Sequence, residues 1–168
     1  FHNECNAFRW KYKDNVMIEE YIDAYGNMMT NKVLGIVATH CEIDGNGNRV
    51  RVAYYDSVGN PMVCDGGKFA EVRWNFDARG NNTEESYYGL NGELVCHSLF
   101  QYAVRLMRYD KRGNVQTQIY LNAERRRMAC SDGYAEIRFK YDEKGHQIEE
   151  SYWDVDGAST LNTRLGVA

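Results

Sequence analysis

Ala135-Glu136-Ile137-Arg138-Phe139-Lys140-Tyr141-Asp142-Glu143-Lys144-Gly145 is the stretch that decides the fold. Apolar residues stand at 135, 137, 139 and 141, with charged residues between them. Strict alternation marks a strand with one apolar face, because successive side chains on a pleated chain point to opposite sides. Asp142 then opens a turn. Its carboxylate can accept from the backbone two residues on, and Gly145 supplies a left-handed conformation without a Cβ clash. This predicts a hairpin loop built from a type I turn and a glycine bulge. A return strand with Ile148, Tyr152 and Trp153 follows, and then a second turn, Asp154-Val155-Asp156-Gly157.

Outward from this hairpin the same grammar recurs. Tyr21, Tyr54, Tyr87, Tyr120 and Tyr152 are one position read five times, at spacings of 33, 33, 33 and 32. Gly47, Gly80, Gly113 and Gly145 hold one phase in the first turns. A period of this size marks a stacked array. The copies run 4–36, 37–69, 70–102, 103–134 and 135–168 as one continuous repeat domain, with Ala168 in phase with Ala70, Ala103 and Ala135. A border without an atypical capping unit predicts a piece of a longer array, or a subunit capped by its neighbours.

The expected fold is therefore all-β, an elongated array of five 33-residue β-hairpin repeats, each with a connecting segment. Hairpins added edge to edge would contribute roughly 9–10 Å each, and coils of a β-solenoid roughly 5 Å. The phase is compatible with both. Stacking should align Trp10, Ile43, Phe76, Tyr109 and Tyr141 in one row, and Phe8, Cys41, Trp74, Met107 and Phe139 in another. Three places break the pattern. Asp14 stands where the first-turn glycine belongs, Arg105 where its siblings have Val72 and Ile137, and Asn122-Ala123-Glu124-Arg125 is a turn without glycine.

Composition narrows the function. One Pro, 15 Gly and 13 Tyr in 168 residues fit a globular chain of tight turns, not a collagen-like or disordered one. A net charge of −4 argues against a general nucleic-acid binder. No run approaches the 18 apolar residues of a membrane span. Cys5, Cys41, Cys64, Cys96 and Cys130 form no C-x-x-C pair, which excludes zinc-ribbon spacing. Cys64 and Cys130 share one repeat position with Asn31, His97 and Asn162, which reads as a small buried ladder site.

His40-Cys41 and Cys96-His97 are poor nucleophile–base pairs, since adjacent strand residues point apart. Asp44-Gly45-Asn46-Gly47-Asn48 alternates oxygen ligands as a calcium loop does, but lacks the distal Glu of an EF-hand, and its phase makes it a hairpin turn. Glu19-Glu20, Glu84-Glu85 and Glu149-Glu150 read as a solvated sheet face, not as acid–base dyads. No catalytic set, metal site or cofactor is expected, and the chain reads as not an enzyme. The binding candidates are Tyr55, Tyr88 and Trp153, as platforms for sugar rings or choline. To these are added Arg125, Arg126 and Arg127, facing an anionic glycan, a phosphate or a neighbouring copy. Copy 103–134 holds seven Lys/Arg against three Asp/Glu and the next copy is acidic, which suits contact by charge complementarity.

Tyr109-Asp110-Lys111-Arg112-Gly113-Asn114 and Tyr141-Asp142-Glu143-Lys144-Gly145-His146 resemble the YD repeats of RHS-type surface and toxin-shell proteins, although those repeat at about 21 residues. Tyr87-Tyr88-Gly89-Leu90-Asn91-Gly92 is similar to the aromatic-glycine hairpins of choline- and glucan-binding cell-wall modules. Both resemblances imply bacterial, extracellular or cell-surface proteins that bind or enclose. The expectation is a non-catalytic structural protein: a surface fibre, stalk or filament-forming scaffold, whose partners are its own copies or neighbouring repeats. The alternative is a cell-wall or glycan/choline-binding module.

Overall fold

The structure is a computed structural model and describes residues 7–166, so Cys5 and Ala168 lie outside the described residues. Among the described residues ten strands appear and no helix: β1 (Ala7–Lys13), β2 (Val16–Ile22), β3 (Ala38–Ile43), β4 (Arg49–Tyr55), β5 (Glu71–Phe76), β6 (Asn82–Tyr88), β7 (Val104–Tyr109), β8 (Val115–Leu121), β9 (Glu136–Tyr141) and β10 (Gln147–Trp153). They form one open sheet in the order β1 to β10, antiparallel throughout. Stacking one coil per copy would pair strands in parallel. The hairpins instead add edge to edge.

Most turns share one chemistry. The Asp44 N–H donates to Asn48 O at 2.9 Å and the Gly47 N–H to Asp44 O at 3.1 Å, the two bonds of a type I turn closed by a glycine bulge. Asp44 Oδ1 accepts from the N–H groups of Asn46 and Asn48, and Oδ2 from the Asn48 amide. The same box recurs at Asp23, Asp56, Asp77 and Asp110, so fixed-turn chemistry occupies the oxygens of the calcium-like loop as it does elsewhere. Gly47, Gly80, Gly113 and Gly145 all have positive φ, between 82° and 90°. The glycine-free turn is undistorted, because Arg125 itself adopts φ 59° and Asn122 Oδ1 accepts the same two backbone bonds as its aspartate siblings.

The first hairpin differs. Asp14 (φ 52°) and Asn15 form a two-residue loop, and Lys13 pairs directly with Val16. Tyr21 faces Phe8 there, whereas Tyr54 faces Thr39, so β1 sits two residues out of phase with its siblings. The later return strands each skip one residue near the turn, at Val50, Thr83, Gln116 and Ile148. Such bulges bend and twist a strand. The consequence appears at the next junction: β2, without a bulge, pairs with β3 over five residues, whereas β4–β5, β6–β7 and β8–β9 hold only three pairs before their tips splay.

The junctions are also staggered. Cys41 faces Val52, which faces Val72, whereas the repeat partner of Cys41 is Trp74. Each hairpin is thus displaced by two residues, about 6.6 Å, along the strand direction. The aromatic rows expected to run straight across the sheet run diagonally, and Phe8 and Trp10 drop out of step with the rest.

Connectors form a second layer over one face of the sheet. The N–H of Asp65 donates to Leu34 O, Ser98 to Gly67 O, Ser131 to Phe100 O and Thr163 to Asp132 O, at 2.8 to 3.0 Å, a ladder of one bond per module. Between the layers the repeated tyrosines alternate with the residue that ends each connector. Tyr54, Phe69, Tyr87, Tyr102, Tyr120, Tyr134 and Tyr152 form an unbroken chain with ring centroids 4.7 to 6.0 Å apart. Ile36 takes the intervening place before Tyr54 and is fully buried. Such rings contribute both area and oriented ring–ring contact, and a lone hairpin has neither. Burial pushes the Tyr102 phenol up to about 12.

Candidate functional site

The face away from the connectors carries the candidate aromatics. Each of them already has a partner from its own hairpin. His40 stacks on Tyr55 with centroids 3.9 Å apart, Arg73 lies 4.3 Å over Tyr88, and Arg138 lies 3.9 Å over Trp153. The stacking residue and the ring hold fixed repeat positions. In the fourth hairpin these are Leu106 and Leu121, which join Val104 and Ile119 in a small apolar cluster with Leu94. A ring with one face already occupied offers a ligand one face at most.

Carboxylates on the same face are held between cations. Glu71 is paired with Arg51 (2.5 Å) and Arg73, Glu136 with Arg127 (2.8 Å) and Arg138 (2.5 Å), and Glu20 with Arg9 (2.6 Å) and Lys11 (2.5 Å). Burial pushes all three carboxyls up. The hydrogen bonds from their cations outweigh it and hold each below the usual carboxylate range. Of the arginine run, Arg125 makes a two-pronged contact with Glu84 at 3.0 and 2.8 Å, and Arg127 reaches Glu136. Each of these contacts joins one copy to another. Arg126 is exposed on the turn.

The glutamate pairs do split across the two faces, but the solvated reading needs correction. Glu20 is buried, and Glu85 lies in the interlayer core. Glu85 accepts from the Tyr87 hydroxyl (2.7 Å), the Trp74 indole (3.1 Å) and Arg105 (3.1 Å), which faces it directly across the β6–β7 junction. Arg105 therefore departs from Val72 and Ile137 because its neighbour is a carboxylate. The signal was present in the sequence. An acidic or amide residue two before the repeated tyrosine recurs at Gln118 and Glu150, and each accepts from that tyrosine's hydroxyl.

The position shared by asparagine, cysteine and histidine is a turn cap. Asn31 Oδ1 accepts from Val33 and Leu34 N–H, Asn162 Oδ1 from Arg164 and Leu165, and His97 Nδ1 from Leu99 and Phe100. His97 is packed among Phe69, Tyr87 and Phe100, and burial pushes its imidazole down. Cys41, Cys64 and Cys130 are buried free thiols and Cys96 is exposed. Among the described residues no three His, Cys, Asp or Glu side chains converge on a metal-sized site. No helix is long and apolar enough to cross a membrane among them.

Clefts open where the hairpin tips splay. One of about 740 Å³ lies between the fourth and fifth tips, bordered by Tyr109, Gln116, Phe139 and Tyr141. Others of about 540 and 400 Å³ lie in the same phase at the two preceding junctions. Braces span them. The Tyr109 hydroxyl donates to Asn82 O (2.7 Å), Tyr141 to Val115 O (2.9 Å), Arg79 to Lys111 O (2.8 Å) and Arg112 to Glu143 O. No protein-family model matches the chain, and no curated protein sequence matches it.

Proposed function

We propose that the chain is a non-catalytic structural repeat protein, a stalk, fibre or filament-forming scaffold that acts through repeat-to-repeat and subunit contacts. The observation that carries this reading is the open sheet. A hairpin module is added five times, and polar groups on both faces make contacts within and between modules. An extracellular or cell-surface setting is part of the proposal and rests on the resemblance to RHS-type and cell-wall repeats. Negative-stain images of the purified chain at rising concentration test it. Thin polymers are expected, and a particle that stays monomeric throughout would remove the reading.

The tip clefts favour a second reading, a glycan- or choline-binding module. They repeat along the array and combine aromatic side chains with amide and hydroxyl groups, as a binding groove for an extended polymer would. Retention on a glycan array or choline resin, lost in Tyr109→Ala and Tyr141→Ala, would support it. No retention of the intact chain would remove it.

A further inference from the structure

The two edges of the sheet differ in a way that assigns them to each other. Among the described residues β1 and β10 each pair on one side only. β1 carries Arg9, Lys11 and Lys13 and no acid, while β10 carries Glu149 and Glu150 and no base. An open strand edge is a template for pairing. Pairing β1 with another β1 would set cations against cations, and β10 with another β10 would set acids against acids. Only β10 against β1 brings opposite charges together, and it continues the antiparallel alternation of the sheet.

Apolar exposure points the same way. Phe8, Trp10 and Tyr12 lie on the connector-covered face yet are 45%, 52% and 74% exposed, whereas Cys41, Val72, Met107 and Ile137 on the later first strands of each hairpin are buried at 2 to 8%. Those later strands are flanked by a preceding return strand and its connector. At the other end Ile148, Leu161 and Leu165 are exposed. Leu165 is in phase with Leu34, Gly67, Phe100 and Asp132, whose carbonyls accept the bonds that join connectors.

Resting on the scaffold reading above, we infer that β10 and the last connector of one copy dock on β1 of a second copy, head to tail. Because β10 is bulged at Ile148, the three-pair register of the β4–β5 junction applies and, corrected for the slip of β1, sets Glu149 opposite the next copy's Arg9 and Glu150 opposite its Phe8. The contact is heterologous and leaves a fresh edge at each end, so it propagates instead of closing as a dimer.

Two blocked variants test this by sedimentation velocity, with circular dichroism to check that each keeps its sheet. Ile148→Lys/Glu149→Lys blocks the trailing edge, and Trp10→Glu/Tyr12→Glu the leading edge. The intact chain should give a concentration-dependent ladder of species that weakens as salt rises. Each variant alone should associate about tenfold more weakly or worse. Their equimolar mixture should stop at a one-to-one dimer, because only one competent edge of each kind remains. Association of the intact chain that neither variant disturbs would overturn the head-to-tail contact and leave the scaffold reading standing. An intact chain that stays monomeric would overturn both.

Discussion

Glu85 and Arg105 face each other across the β6–β7 junction, and the pair occupies the place that Gln118 and Ile137 hold one junction later. The protein thus carries two solutions for one site, a charged pair and a neutral pair with the same backbone. Arg105→Ile alone should destabilise the chain by about 2 kcal/mol, because it leaves Glu85 without its cation inside the layer. Adding Glu85→Gln should recover most of that loss. Denaturant unfolding of both single mutants and the double mutant measures the coupling. Additive losses would show that the pair does not act as a unit.

Lys68 and Gln101 adopt φ of 60° and 63° at the connector position where Gly35 has 70°. A non-glycine residue is strained there, by about 1–2 kcal/mol, and glycine returns roughly 0.5–1 kcal/mol of that as unfolded-state entropy. Lys68→Gly should therefore stabilise the chain by about 0.5 kcal/mol, and the exposed Lys68–Asp65 pair it removes weighs little. A small rise in the urea midpoint is the readout. A fall would mean that the Lys68 side chain holds the connector.

The turn aspartates at 23, 44, 56, 77, 110 and 142 are held below the usual carboxylate range by hydrogen bonds from backbone N–H groups and the residue four further on. A carboxyl lowered by folding contributes stability that is complete above its unfolded value, about 3.9, and is lost as pH falls through the folded value. Stability should thus drop steeply below about pH 4. Asn122 shows that asparagine makes the same backbone bonds. Asp77→Asn should accordingly keep the fold at neutral pH and shallow the acid limb, as followed by denaturant midpoints across pH.

His97 titrates in a different window. Its imidazole is pushed down by burial, so its contribution is complete above about pH 6.5 and is lost as pH falls through the lowered folded value. His97→Asn keeps an acceptor for the Leu99 and Phe100 N–H groups, as Asn31 and Asn162 do in their turns. It should fold and show a flatter stability profile below about pH 6.5. His97→Leu keeps the apolar packing but loses the cap, at a cost of about 1–2 kcal/mol. Equal losses for the two variants would assign the residue to packing instead.

The hairpins were legible in the sequence because alternation and the Asp-x-x-Gly-Asn turn are local signals, and each turn satisfies itself with its own side chains. Stagger was not legible. A repeat period states which residues are equivalent, but their alignment across a junction depends on where the bulges at Val50, Thr83 and Gln116 end the pairing. The surface aromatics were legible as a repeated position. Their stacking partners were missed because His40, Arg73, Leu106 and Arg138 look unrelated until the diagonal contact across the strand pair is seen. Glu20 and Glu85 were misjudged because two adjacent glutamates look hydrophilic, although their opposing faces have different neighbours.

Three of the four junctions between hairpins are held by three residue pairs, while the hairpins themselves are closed by six or seven. Tension along the array axis would load these seams in series. A pulled array would therefore part between modules, with β2–β3 outlasting the other seams, and would shed whole two-stranded units that keep their turns.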